Sequence, residues 1–253
     1  MNTLEYLIML ALAGLLILLR FDARRFGAAD FDDEQAVGGW RTWARRLTWY
    51  GLGLLLVFCV YFLFPQPITL LHLQMGEPRL IVLVLGVALG VLGAAYAAGY
   101  AWWRFDDLRL PPLRRYPVGT LNSVATAFID EAAFRGILLG LLLFFDWPVH
   151  YAVGFQAVIY ALSTRLAASG RPRALLLLSL LVGLVGGWLT VTTLGIGAAF
   201  LAHAMTRFAV FLTTGHAGQV TGSTAREEEQ LLEGSSIAPA GWEVIETDNG
   251  AAQ

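Results

Sequence analysis

Residues 117–145 read PVGTLNSVATAFIDEAAFRGILLGLLLFF, an apolar run with Asp130, Glu131 and Arg135 near its middle. At about 1.5 Å per residue, a helix of this length measures roughly 40 Å, enough to span a bilayer with some tilt. The charges then fall near mid-depth. An ionisable side chain there costs on the order of 2.5 to 3.5 kcal/mol on insertion scales, so it faces protein, pairs, or serves function. Helical geometry puts Glu131 and Arg135 on one face, while Asp130 points about 100° away, above Phe134. One acid is placed to pair within its own helix, and the other needs a neighbour.

The flanking sequence has the same apolar character. Of its 253 residues, 57% are hydrophobic and 14% charged, with a mean hydropathy of +0.63; a soluble domain carries about 25% charge. The expected fold class is all-α, a polytopic membrane helix bundle of about seven transmembrane helices. Spans are expected at residues 4–19, 48–64, 80–103, 117–145, 149–167, 174–189 and 195–213. No basic residue precedes the first span and Arg20, Arg24 and Arg25 follow it, the reverse of a cleaved signal peptide, so an uncleaved span is expected. Residues 20–46 mix arginines with Asp22, Asp30, Asp32, Asp33 and Glu34 and read as a solvated loop, with a surface helix near Trp40 and Trp43. Gly86, Gly90 and Gly93, and separately Gly183 and Gly187, have the spacing that lets a second helix approach closely.

These features divide the chain into three parts. Residues 1–79 hold two amino-terminal spans and a cytoplasmic loop, residues 80–213 a helical core, and residues 214–253 an acidic cytoplasmic tail, mostly disordered, with Glu227, Glu228 and Glu229. The chain has no lysine, and all 17 basic residues are arginines. The loops after the first, third and fifth spans, with the tail, hold 13 of them and Arg165 ends the fifth span on the same side, whereas the opposite loops hold only Arg79. The positive-inside tendency therefore places the amino terminus outside and the carboxyl terminus in the cytoplasm of an integral cell- or plasma-membrane protein. Membrane lipids are its expected partners; the arginines form no single basic face, so no nucleic acid is expected. Cys59, the only cysteine, has no disulfide partner in the chain.

Asp130-Glu131-Ala132-Ala133-Phe134-Arg135-Gly136 resembles the E-E-x-x-F-R-G signature of the CPBP family, which contains type II CAAX prenyl endopeptidases and bacteriocin-processing or immunity proteins. Two further blocks extend the resemblance over residues 80–213. Residues 157–164 align with the family's F-x-x-x-H block, and residues 183–207, with Phe200-Leu201-Ala202-His203, look like its last block, in which a helix carries H-x-x-x-N or H-x-x-x-D. The resemblance implies an intramembrane endopeptidase without a nucleophilic serine or cysteine. Its first glutamate and second-block histidine would activate water, and its last histidine and asparagine would stabilise the oxyanion. Only Glu131, Arg135 and His203 match that plan. Asp130 stands in place of the first glutamate, Thr164 in place of the second-block histidine, and Arg207 in place of the asparagine. A threonine hydroxyl orients water but does not accept its proton, while arginine is a permanent cation with five donors.

Against this stand plainer accounts. The charges could hold helices together structurally, and His203 could be a hydrogen-bonded bundle residue. His72, His150 and His216 are expected to be solvated in or near loops. With Thr164 in place of a histidine no third protein ligand joins Glu131 and His203, so neither a metal nor another cofactor is expected. Three functions follow: an endopeptidase with a degenerate site; a pseudoprotease that binds a membrane-associated peptide or lipidated protein without cutting it; and a transporter element, disfavoured because paired Gly/Pro-broken spans are missing. A geometric expectation accompanies them: Arg207 turns into the bundle and pairs with Asp130 or Glu131, while Arg135 neutralises the other acid.

Overall fold

The computed structural model describes residues 3–26, 40–64, 66–105, 108, 110–111, 113, 116–166 and 173–214, and among these every regular element is helical. Helix α1 is Thr3–Phe21, α2 Trp40–Leu63 and α3 Arg79–Phe105. The charged run begins as α4, Tyr116–Glu131, continues as a π-helical segment, Ala132–Leu138, and ends as α5, Leu139–Phe144. Then come α6, Val149–Leu166, α7, Arg173–Thr193, and α8, Gly197–Thr214.

Each expected span is helical over its described residues, apart from Phe64, Phe145, Gly195 and Ile196 at the span ends. Four helical stretches, Leu4–Phe21, Ala44–Leu63, Arg79–Trp103 and Leu176–Thr193, are long and apolar enough to cross a bilayer by themselves, and Gly197–Thr213 is a shorter apolar one. The architecture is a membrane helix bundle. At its centre is the run from α4 to α5: α4 packs on α8 and α2, and the π segment touches α1, α2, α6 and α7. The single long α-helix expected for residues 117–145 is thus corrected at Ala132–Leu138, where the ladder widens immediately after the acid pair. Such widenings occur mostly as single turns and often at functional sites. The helix stops where Asp146, at φ 57°, lets the Asp146 and Trp147 amides donate to the Leu143 and Leu142 carbonyls, a Schellman arrangement ahead of Pro148.

The glycine spacing does what it was expected to do. Helix α3 lies along α8, and a methyl group added at Gly90 would come within 2.6 Å of Met205 Sδ. Helix α7 lies along α6, where a methyl group added at Gly183 would come within 2.9 Å of Ala157 Cα and Gln156 Nε2 donates to the Gly183 carbonyl at 2.7 Å. With little hydrophobic drive between helices in lipid, such close contacts supply the association.

Several loop expectations change. Trp40 does not belong to a separate surface helix; it opens α2. Arg20 and Arg46, assigned to a solvated loop, are both only 3% exposed. Arg20 stays in the last turn of α1, and Trp49 Nε1 donates to the Leu19 carbonyl at 3.0 Å, fixing α2 against that turn. His72, expected to be solvated, is buried in the loop before α3; its carbonyl accepts from the Gln74 and Ile196 amides, and burial pushes its imidazole pKa below the ordinary value. His150 is exposed as expected. His216, the acidic tail and residues 27–39 of the 20–46 loop lie outside the described residues.

Candidate functional site

The two adjacent acids point to different neighbours, as their helical positions require. Asp130, fully buried, meets Arg20 of α1, with Nε 2.6 Å from Oδ1. Glu131 pairs within its own helix with Arg135, Nη1 to Oε1 at 3.1 Å, and the same oxygen accepts from His203 Nδ1 at 2.8 Å. A carboxylate on Nδ1 holds the imidazole in the tautomer that leaves Nε2 with a free lone pair. That nitrogen lies 3.5 Å from the Tyr160 hydroxyl.

Arg135 is a brace. Its guanidinium carbon sits 3.9 Å from the centre of the Tyr160 ring, Nη2 donates to the Val182 carbonyl at 3.4 Å, and Phe134 packs edge-on against Tyr160 at 5.3 Å. A cation over an aromatic face in a dry site contributes up to about 2 kcal/mol. The π segment, α6 and α7 are thereby held in one register around the acids.

Glu131 and His203 open onto a cavity of about 360 Å³. Its polar lining is Arg20, Glu131, Tyr160, Thr164, Ser179, His203, Thr206 and Arg207, and its walls are apolar residues of α3, α7 and α8. Asp130 is not among the lining residues. Helix α3 packs along α8, and α7 packs on α6 and α8, but among the described residues α3 and α7 make no extended contact with each other. Leu92 and Tyr96 from α3, and Leu181 and Val185 from α7, line the cavity and also face outward, so the gap between these helices opens toward the surroundings of the bundle.

Thr164 reaches this cavity and is already engaged: its hydroxyl donates to the Ala161 carbonyl at 2.8 Å and lies 3.1 Å from Ser179 Oγ. Arg207 overturns the geometric expectation. It does turn into the bundle, but among the described residues it makes no ion pair with Asp130 or Glu131, and its buried Nε and Nη2 find no hydrogen-bond partner. Arg20 has taken the place assigned to it. Arg135 neutralises the other acid as expected, so the site is braced from α1 and its own helix, and Arg207 remains on the cavity wall.

Arg20, Tyr160 and Ser179 were missed from sequence. Arg20 looked like an ordinary topological charge after a span, although an acid that needed a neighbour asked for a cation on another helix. Tyr160 lay inside the aligned 157–164 block at the aromatic position, and its hydroxyl was the overlooked signal. Nothing local marked Ser179. Among the described residues no three His, Cys, Asp or Glu side chains are grouped as a metal site would need.

The arrangement can move a proton at His203 Nε2 and present donors from Arg207 and Tyr160 within one membrane-embedded cavity. Residues 112–209 match a family model described as Type II CAAX prenyl endopeptidase Rce1-like, a stretch that holds every site residue above except Arg20. No curated protein and no solved structure matches the chain. The signature around Asp130–Arg135, the helical bundle and this match over residues 112–209 agree, and they support CPBP family membership for this integral membrane protein.

Proposed function

We propose that the chain is an intramembrane endopeptidase in which His203 is the general base and Glu131 its orienting partner. The observation that carries this reading is the 2.8 Å contact between Glu131 Oε1 and His203 Nδ1 on the wall of the cavity. Glu131 is tied to Arg135, which fixes the carboxylate where it can hold the imidazole. His203 Nε2 takes a proton from the attacking water as the new C–O bond forms, and returns it to the amine as the C–N bond breaks. Arg207 and the Tyr160 hydroxyl supply donors to the developing oxyanion, a contribution of about 2.7 to 4 kcal/mol for one well-placed donor. Asp130 is left out of the chemistry because Arg20 neutralises it behind the cavity wall. The gap between α3 and α7 supports access from the bilayer, which suits a membrane-associated peptide or lipidated protein. The amino terminus is assigned to the outside and the carboxyl terminus to the cytoplasm on the arginine distribution; reporter fusions in the 65–77 loop and at Gln253 that landed on one side would overturn this.

The second reading, a pseudoprotease, is favoured by one observation: the residue in place of the family's first glutamate is sealed in an ion pair. Cleavage of a prenylated CAAX peptide by the full chain in proteoliposomes separates the two. The endopeptidase reading expects turnover that His203→Ala and Glu131→Gln each lower by about 10²- to 10⁴-fold, while Asp130→Asn lowers the rate of the folded fraction less than about tenfold. No turnover by the parent, or turnover untouched by His203→Ala, gives the lead to the pseudoprotease.

A further inference from the structure

The charges around the cavity do not balance. Three buried guanidiniums, Arg20, Arg135 and Arg207, face two carboxylates, Asp130 and Glu131, and both acids are already held, one by Arg20 and the other by Arg135. Arg207 is 9% exposed, lines the cavity, and has Nε and Nη2 without hydrogen-bond partners among the described residues; Arg20 also lines it, and its Nη1 has no hydrogen-bond partner among them. A buried guanidinium without a direct ion-pair partner is unfavourable, so an anion that entered here would be bound by a charge already desolvated. Because Arg207 stands where the family pattern carries asparagine or aspartate, this feature belongs to this chain.

We propose that the cavity binds an oxyanion headgroup, a carboxylate or a phosphate monoester, borne on a single acyl chain. The headgroup sits between Arg207 and Arg20, whose planar forks suit both anions. The chain lies along Leu89 and Leu92 of α3 and Leu181 and Val185 of α7, and leaves through the gap between those helices. A cavity of about 360 Å³ takes the headgroup and the first part of the chain, and the remainder stays among the apolar residues outside. The choice of a lipid follows from those apolar, outward-facing walls. The inference goes beyond the endopeptidase reading and is measured without turnover, so either can fail alone.

The test uses the full chain in nanodiscs of zwitterionic lipid, titrated with palmitate, palmitoyl lysophosphatidate, methyl palmitate, inorganic phosphate, and an apolar peptide with a free or amidated carboxyl terminus. Palmitate or the lysophosphatidate should bind at least about tenfold more tightly than methyl palmitate, the loss expected for one charge-assisted pair; whichever of the two binds more tightly identifies the headgroup. Arg207→Asn should erase that preference without changing binding of the ester, and Arg207→Lys, which keeps the charge if the asparagine variant fails to fold, should retain most of it. Equal binding of palmitate and its ester, or a preference that survives Arg207→Asn, would overturn the proposal. Saturation by inorganic phosphate alone would overturn the role of the chain, and tighter binding of the free-carboxyl peptide than of either lipid would overturn the choice of a lipid.

Discussion

On the α1–α2 side of the central helix, Asp130 is fully buried and held by a guanidinium from α1. Polar contacts continue along that face: the Tyr50 hydroxyl donates to Asn122 Oδ1, and Thr126 donates to the same oxygen at 3.3 Å. On the α7–α8 side, one residue further along the chain, Glu131 faces a cavity and shares one oxygen between Arg135 and an imidazole, while its second oxygen has no partner. Both carboxylates are desolvated and both have a cation, so burial and charge do not distinguish them. What differs is the third group present. Asp130 has only a permanent cation, which leaves a static structural pair. Glu131 also has an imidazole on the cavity wall, whose Nε2 lies 3.5 Å from the Tyr160 hydroxyl, and that combination permits proton transfer.

The largest effect expected from this contrast is on stability. Arg20→Met leaves Asp130 buried without its counter-ion and should destabilise the protein by about 3 to 5 kcal/mol, whereas Arg20→Met with Asp130→Leu should recover most of the loss. Unfolding in mixed micelles measures both. A double variant as unstable as the single one would mean that the pair does more than neutralise charge, and the contrast with Glu131 would lose its basis.

An intermediate effect concerns the cavity side alone. Gly90→Ala sets a methyl group 2.6 Å from Met205 Sδ and 2.8 Å from its Cβ, and should cost about 1 to 3 kcal/mol by overpacking. Gly99→Ala, on the same helix with nothing within 4 Å, should be neutral or stabilising by up to about 1 kcal/mol. Thermal unfolding of the two variants decides whether α3 is held against α8 by this close contact or by its general apolarity.

The smallest effect lies outside both regions, in the loop before α3. Burial holds the His72 imidazole below its ordinary pKa, so the folded state disfavours the protonated form. The stability this contributes is fully present above the unfolded-state value of about 6.5 and is lost as pH falls from there through the folded-state pKa. His72→Gln should flatten the decline in melting temperature between pH 7 and pH 5. An unchanged slope would assign the decline to other groups, with His203 next to be tested.

Much of this protein was determined by the sequence alone. Apolar runs of span length, punctuated by Pro148 and by arginine-rich loops, required a helical membrane bundle, because in lipid a helix satisfies its own backbone groups. Spacing also determined that Glu131 and Arg135 share a face, that Asp130 must look to another helix, and that Gly90 and Gly183 mark close helix contacts, since each depends only on the helical period. The tertiary structure alone decided which cation answered Asp130. Arg207 was the expected cation, and the choice fell to Arg20 because α1 packs on the π segment with its last turn beside the acid. The packing of the other helices left Arg207 on the cavity wall, brought Tyr160 and Ser179 to it, and buried His72. Those outcomes follow from how separate helices meet in space, and no local pattern of residues encodes that meeting.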